Sequence, residues 1–164
     1  MSGKSDFTPE EWTKVLESII AAGIAVSAVA PSGWWGTLKE AVAGLPALTA
    51  AKRDPNSNDL IKAAVADFER SRDGNILAMR ERFAHAEPKE CVQRSLASLR
   101  EVTAIVDAKA PGEAAAFKSW LRTISQRVAE AAVEGSFLGF GGVRVSAAET
   151  ATLRDISKAL GMAS

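Results

Sequence analysis

An all-α fold is what this chain predicts, and three observations predict it. Apolar residues return every three or four positions through most of the sequence. Three Ser/Thr-x-x-Glu sets stand where such stretches begin, at Thr8–Glu11, Thr37–Glu40 and Ser146–Glu149. Gly and Pro punctuate the gaps between the stretches. The 164 residues, 47% of them apolar, suffice for one domain with its own core and are too apolar for a disordered chain. The expectation is a single helical domain over 1–164, with 1–7 as an N-terminal tail, folded as a bundle of about six or seven helices.

The first helix opens with Thr8 as N-cap, Pro9 at the first helical position and Glu11 reaching back. Trp12, Leu16, Ile19, Gly23 and Val26 follow at helical spacing. From Ile19 to Ala30 the apolar residues spread all round, which predicts a central helix, ended by Pro31 and Gly33. Thr37 and Glu40 open a second helix that Gly44 and Pro46 interrupt. Arg53 to Asn58 reads as a polar turn. Leu60, Ile61, Ala64, Val65 and Phe68 make one amphipathic face, Asp73-Gly74-Asn75 reads as a turn, and Ile76 to His85 as a further helix carrying Met79 and Phe83. Pro88 opens a helix with Val92, Leu96, Leu99, Val102 and Val106. After the break at Pro111 and Gly112, the clearest stripe in the chain runs through Phe117, Trp120, Leu121, Ile124, Val128 and Ala131, placing Phe117–Val133 at the centre with the first helix. Leu153, Ile156 and Leu160 line the last helix, with Gly161 as its stop.

Two regions share an order of signals: an Ala-rich amphipathic helix, a loop of small and aromatic residues, then a capped helix. The first runs from Trp12 through Gly33, Trp34, Trp35 and Gly36 to Thr37 and Glu40. The second runs from Phe117 through Gly135, Phe137 and Gly139 to Ser146 and Glu149. The bundle is accordingly read as two pseudo-repeated halves. Over Ala129 to Met162, and more weakly over Ala25 to Leu48, the order of signals resembles the TerB-like tellurite-resistance family. That resemblance implies an all-helical fold carrying the unit twice, and a stress-response role with divalent-metal binding. At the family's Asp-Gly positions this chain has Ser32-Gly33 and Glu134-Gly135, so the resemblance leaves Glu40, Glu134 and Glu149 as the metal candidates.

Composition excludes several classes. Lys+Arg and Asp+Glu are 20 each, the net charge is zero, and no basic cluster stands out, so no nucleic-acid partner is expected. The single cysteine, Cys91, excludes a disulfide within the chain and points to a reducing, cytoplasmic setting. Met1 to Asp6 is polar, without the apolar core of a secretory signal. The run Ile19–Ala30 spans roughly 18 Å as helix against the roughly 30 Å of a bilayer core, so no membrane span is expected.

No catalytic set emerges. The one histidine, His85, lacks the Glu-x-x-His spacing of di-iron bundles, because position 82 is Arg82. With Cys91 it makes too few ligands for zinc. Asp54 to Asp59 resembles the start of a calcium loop, but the sixth position is Asp59 where Gly is needed and the twelfth is Val65 where Glu is needed. A helix-capping turn accounts for it better. Cys91 near a helix start fits a packing residue. Gly139, Gly141 and Gly142 with Phe137 and Phe140 form the most unusual segment: glycines before a helix N-terminus can cradle an anion, but the Lys-Ser/Thr of a nucleotide loop is missing. Apolar rings in a loop are either covered or bind something. The function expected is a non-enzymatic helical binding module acting through Trp34, Trp35, Phe137, Gly139, Phe140, Gly141 and Gly142 on a protein partner, an identical subunit or a small ligand, with no cofactor. The alternative is the divalent-metal-binding domain of the TerB-like kind.

Overall fold

The computed structural model describes residues 3–28, 50, 51, 53, 54, 57–135 and 147–162, with the side chains of 131–135 excepted. These residues include five α-helices and one 3-10 turn, with 50, 51 and 53 also helical, and no strand occurs among them. The turn spans Lys4–Asp6; α1 spans Pro9–Ser27, α2 Asp59–Phe83, α3 Pro88–Lys109, α4 Pro111–Gly135 and α5 Ala147–Ala159. The stretches 29–49 and 136–146, which carry the helix expected after Thr37 and both Gly-aromatic loops, lie outside the described residues.

Local chemistry sets the helix ends. Thr8 caps α1: its hydroxyl accepts from the Glu11 amide at 3.2 Å, while Glu11 accepts from the Thr8 amide at 2.8 Å. That bond, reinforced by Lys109 against some desolvation, holds the Glu11 carboxyl below its usual value. The polar turn before α2 ends on Asn58, which caps the helix by accepting from the Ile61 amide at 2.9 Å. Pro88 and Pro111 each occupy a first helical position, where the missing amide costs nothing. The end of α5 is a Schellman closure. Gly161 takes φ +69°, its amide bonds to the Lys158 carbonyl at 3.0 Å, and the Met162 amide reaches the Ser157 carbonyl at 2.8 Å.

Burial follows the apolar stripes. Every described residue from Ser18 to Ala28 is buried, so the second half of α1 is enclosed on all sides. It packs chiefly on α3 and α4, with α2 and α5 closing the remaining sides. Ile19, Ile20 and Ile24 are fully buried; each contributes about 1.5–3 kcal/mol of transfer free energy. In α2, Leu60, Ile61, Ala64, Val65 and Phe68 face the core, as do Met79 and Phe83. Phe117, Trp120, Leu121, Ile124 and Val128 bring α4 onto α1. The opposite face of α4, with Ala115, Ala116, Ser119, Thr123 and Arg127, is exposed, so among the described helices α1 is the one enclosed on all sides.

Two expectations change. The turn at Asp73-Gly74-Asn75 does not form, and α2 continues through it as one helix. Gly within a helix costs only about 1 kcal/mol relative to Ala, and the buried residues on either side outweigh that. Asn75 also adopts a helix-compatible bond, donating to Ser71 Oγ one turn back at 2.8 Å. The residues before α1 are anchored, not a free polar tail. Phe7 is buried with its ring 5.4 Å from that of Trp12, and Lys4 pairs with Asp67 at 2.9 Å. No helix among the described residues is long and apolar enough to cross a membrane.

Candidate functional site

The direction of the helices follows from their polar contacts. Lys14 on α1 pairs with Glu101 on α3, and Lys109 near the end of α3 pairs with Glu11 in the first turn of α1 at 3.6 Å. Thus α1 and α3 are antiparallel. Only Ala110 separates α3 from α4, so α4 starts beside the first turn of α1. Past the midpoint of both helices, the buried Ser125 hydroxyl of α4 donates to the Ala22 carbonyl of α1 at 2.8 Å. The two helices therefore run in the same sense. From that contact α1 continues about 9 Å to Ala28 and α4 about 15 Å to Gly135, at 1.5 Å per residue. Both finish at the same end of the bundle.

Trp34, Trp35, Phe137, Gly139, Phe140, Gly141 and Gly142 lie outside the described residues, as do Glu40 and the side chain of Glu134. Glu149 is described: it is buried in the first turn of α5, 5% exposed, where a carboxylate is stabilised by the helix dipole. Among the described residues no three His, Cys, Asp or Glu side chains cluster as metal ligands would.

His85 is exposed in the turn after α2. Cys91 is fully buried, and burial together with the neighbouring Glu90 pushes its thiol up from the ordinary value. A protonated, enclosed thiol is a poor nucleophile. Glu130 pairs with Arg127 at 3.1 Å on the exposed side of α4.

Two polar groups matter that sequence reading passed over. Asp67 is buried on α2 and gathers three donors: Trp12 Nε1 at 2.8 Å and Lys4 Nζ at 2.9 Å from the start of the chain, and Arg70 one turn along its own helix. Desolvation raises its carboxyl, but the Lys4 and Trp12 hydrogen bonds and the Arg70 charge outweigh it, so the net shift is downward. Its only sequence signal was a carboxylate directly preceding Phe68 in an apolar stripe. The other is Arg122, half-buried between α4 and α5, whose Nε donates to Ser157 Oγ at 2.8 Å. A guanidinium flanked by Leu121 and Ile124 in a core-facing helix was the available clue. Among the described residues Ser27 Oγ, Ser95 Oγ and Trp120 Nε1 are buried without a partner.

A hollow between the start of α2 and α4 is lined by Ala51, Asn58, Ile61, Ala116, Trp120 and Arg127. Another, between α1, α2 and α3, is lined by Glu10, Lys14, Glu17, Arg82 and Glu101, where Lys14 pairs with Glu101 and Arg82 with Glu17. No family model matches the chain, and comparison with curated proteins and with solved structures gives no match.

Proposed function

We propose that this protein is a non-enzymatic binding module, and that its contact surface is the end of the bundle at which α1 and α4 finish. The observation that carries this reading is the Ser125–Ala22 contact, which sets the two helices side by side and in the same sense. Each of these helices is followed in sequence by a stretch rich in glycines and aromatic rings, and the shared direction brings Ala28 and Gly135, from which those stretches continue, to one end. On this reading Trp34, Trp35, Phe137 and Phe140 act together on one partner. Rings presented together by a rigid scaffold suit a protein partner, and a second copy of this chain is the simplest one. Gly139, Gly141 and Gly142 let the second loop approach that partner closely.

Trp35→Ser and Phe140→Ser test this. Sedimentation equilibrium measures self-association, and thermal melting measures stability. The expected result is weakened self-association with a melting temperature close to that of the parent. A monomeric parent, or melting that collapses in both variants with no separate loss of association, overturns the reading. A melting rise with calcium that EDTA reverses, and that Glu149→Gln abolishes, replaces it with the divalent-metal function.

A further inference from the structure

Charges on the described surface are mostly matched. Arg70, Arg82, Arg94 and Arg127 pair with Asp67, Glu17, Glu90 and Glu130. Arg122 differs. Its head group is half-buried where α4 meets α5, yet it forms no ion pair with any described carboxylate. Its Nε donates to Ser157 Oγ at 2.8 Å and its Nη1 to Gln126 Oε1 at 3.2 Å, both neutral acceptors, and Nη2 has no acceptor among the described residues. Desolvation alone pulls the guanidinium below its ordinary value. A guanidinium taken partly out of water without a counter-charge is costly, and a charge-assisted pair would recover that cost.

Beside it lies an open hollow of about 290 Å³, lined by Ser119, Arg122, Thr123, Gln126, Arg127 and Glu130. The hydrogen bonds around it organise the charge. Glu130 is held by Arg127 at 3.1 Å and by Gln126 Nε2 at 3.1 Å. Two guanidiniums against one carboxylate leave the hollow with a net charge of +1, carried by Arg122. The Thr123 hydroxyl donates to the Ser119 carbonyl at 3.0 Å, so the Ser119 hydroxyl is the lining hydroxyl left to donate outward. A planar guanidinium edge next to a hydroxyl matches the oxygens of a carboxylate or a phosphate group.

We propose that this hollow on α4 binds a small oxyanion, a carboxylate or phosphate group, through the guanidinium of Arg122 and the hydroxyl of Ser119. The site sits on the exposed face of α4. It does not rest on the binding reading above. The bond from Arg122 to Ser157 makes it a junction between α4 and α5, so an occupied site also holds α5 in place.

The test uses the full chain, labelled with nitrogen-15, with inorganic phosphate and, separately, acetate at constant ionic strength. The Arg122 Nε–H resonance and the melting temperature are followed together. The expected result is a saturable shift of that resonance with a parallel rise in melting. Phosphate alone acting identifies a phosphate site, and both acting identifies a general oxyanion site. Arg122→Gln is expected to weaken the effect at least ten-fold and Ser119→Ala several-fold, while Arg154→Gln, exposed on α5, leaves it intact. If Arg122→Gln does not fold, the resonance in the parent and the Ser119→Ala variant decide. An Arg122 resonance that stays still with both anions overturns the proposal, as does an unchanged response in Arg122→Gln.

Discussion

The second half of α1 and the middle of α2 are both helix, and they meet opposite surroundings. From Ser18 to Ala28 every residue is buried, whereas from Glu69 to Ala78 none is, and Leu77 stands 55% exposed. The first is helical because burial demands it: an enclosed backbone must satisfy its own amides and carbonyls, and a helix does so within one segment. The second is helical because its ends are. Asn58 caps the start, Phe68 anchors one side, and Met79 with Phe83 anchors the other. Extending an existing helix fixes one residue per hydrogen bond, far cheaper than nucleating a new one. Packing writes one helix and continuity writes the other.

The sharpest way to break this contrast is to delete volume in each. Ile24→Ala, in the enclosed half of α1, should destabilise the fold by about 2–5 kcal/mol, while Ile76→Ala in the middle of α2 should cost about 1 kcal/mol or less. Urea unfolding of the two variants measures both. Equal losses would mean that α2 packs as tightly as α1.

Asp67 marks the boundary between the packed and unpacked parts of α2, and its removal comes next in size. Asp67→Ala strands Trp12 Nε1 and releases Lys4, and should cost about 1–3 kcal/mol at neutral pH. The carboxyl lies below its ordinary value of 3.8 in the fold. Its contribution is therefore full above the unfolded value and is lost as pH falls through the folded one. Stability measured from pH 7 down to pH 2 should fall below about pH 4 in the parent, and less steeply in Asp67→Asn. Parallel curves for the two proteins would assign the acid sensitivity to other carboxylates, Glu11 first among them.

The smallest effect is a gain. Gly74 lies mid-helix, and a methyl group added there meets nothing within 4 Å. Gly74→Ala should raise stability by about 0.5–1 kcal/mol by removing backbone entropy from the unfolded chain. A loss on thermal or urea melting would show that the middle of α2 needs the freedom of glycine.

The same contrast explains what was legible in the sequence. Stripes such as Phe117–Trp120–Leu121–Ile124 and the capping set of Thr8 were readable because both act within a few residues. The turn expected at Asp73-Gly74-Asn75 misled, since turn-forming residues were weighed without the anchors flanking them. Asp67 was invisible because its Trp12 contact joins residues 55 apart, and no local pattern announces a long-range acceptor. For the proposed contact surface, the glycines and aromatic rings stood out by composition, whereas the shared direction of α1 and α4 needed a contact between Ala22 and Ser125. Arg122 escaped notice because an arginine in an amphipathic helix reads as solvated until its depth is known.

The enclosure of α1 also sets an order of events during synthesis. Its polar contacts reach Glu101 and Ser125, 87 and 103 residues from their partners on α1. Ribosomes add about 5–20 residues per second, so the apolar half of α1 waits on the order of 5–20 s before its covering helices exist. During that interval Ile19, Ile20, Ile24 and Val26 are the stickiest surface of the nascent chain, and a chaperone that grips short apolar segments would find them first. The helix most protected in the finished protein is the one most exposed while the protein is being made.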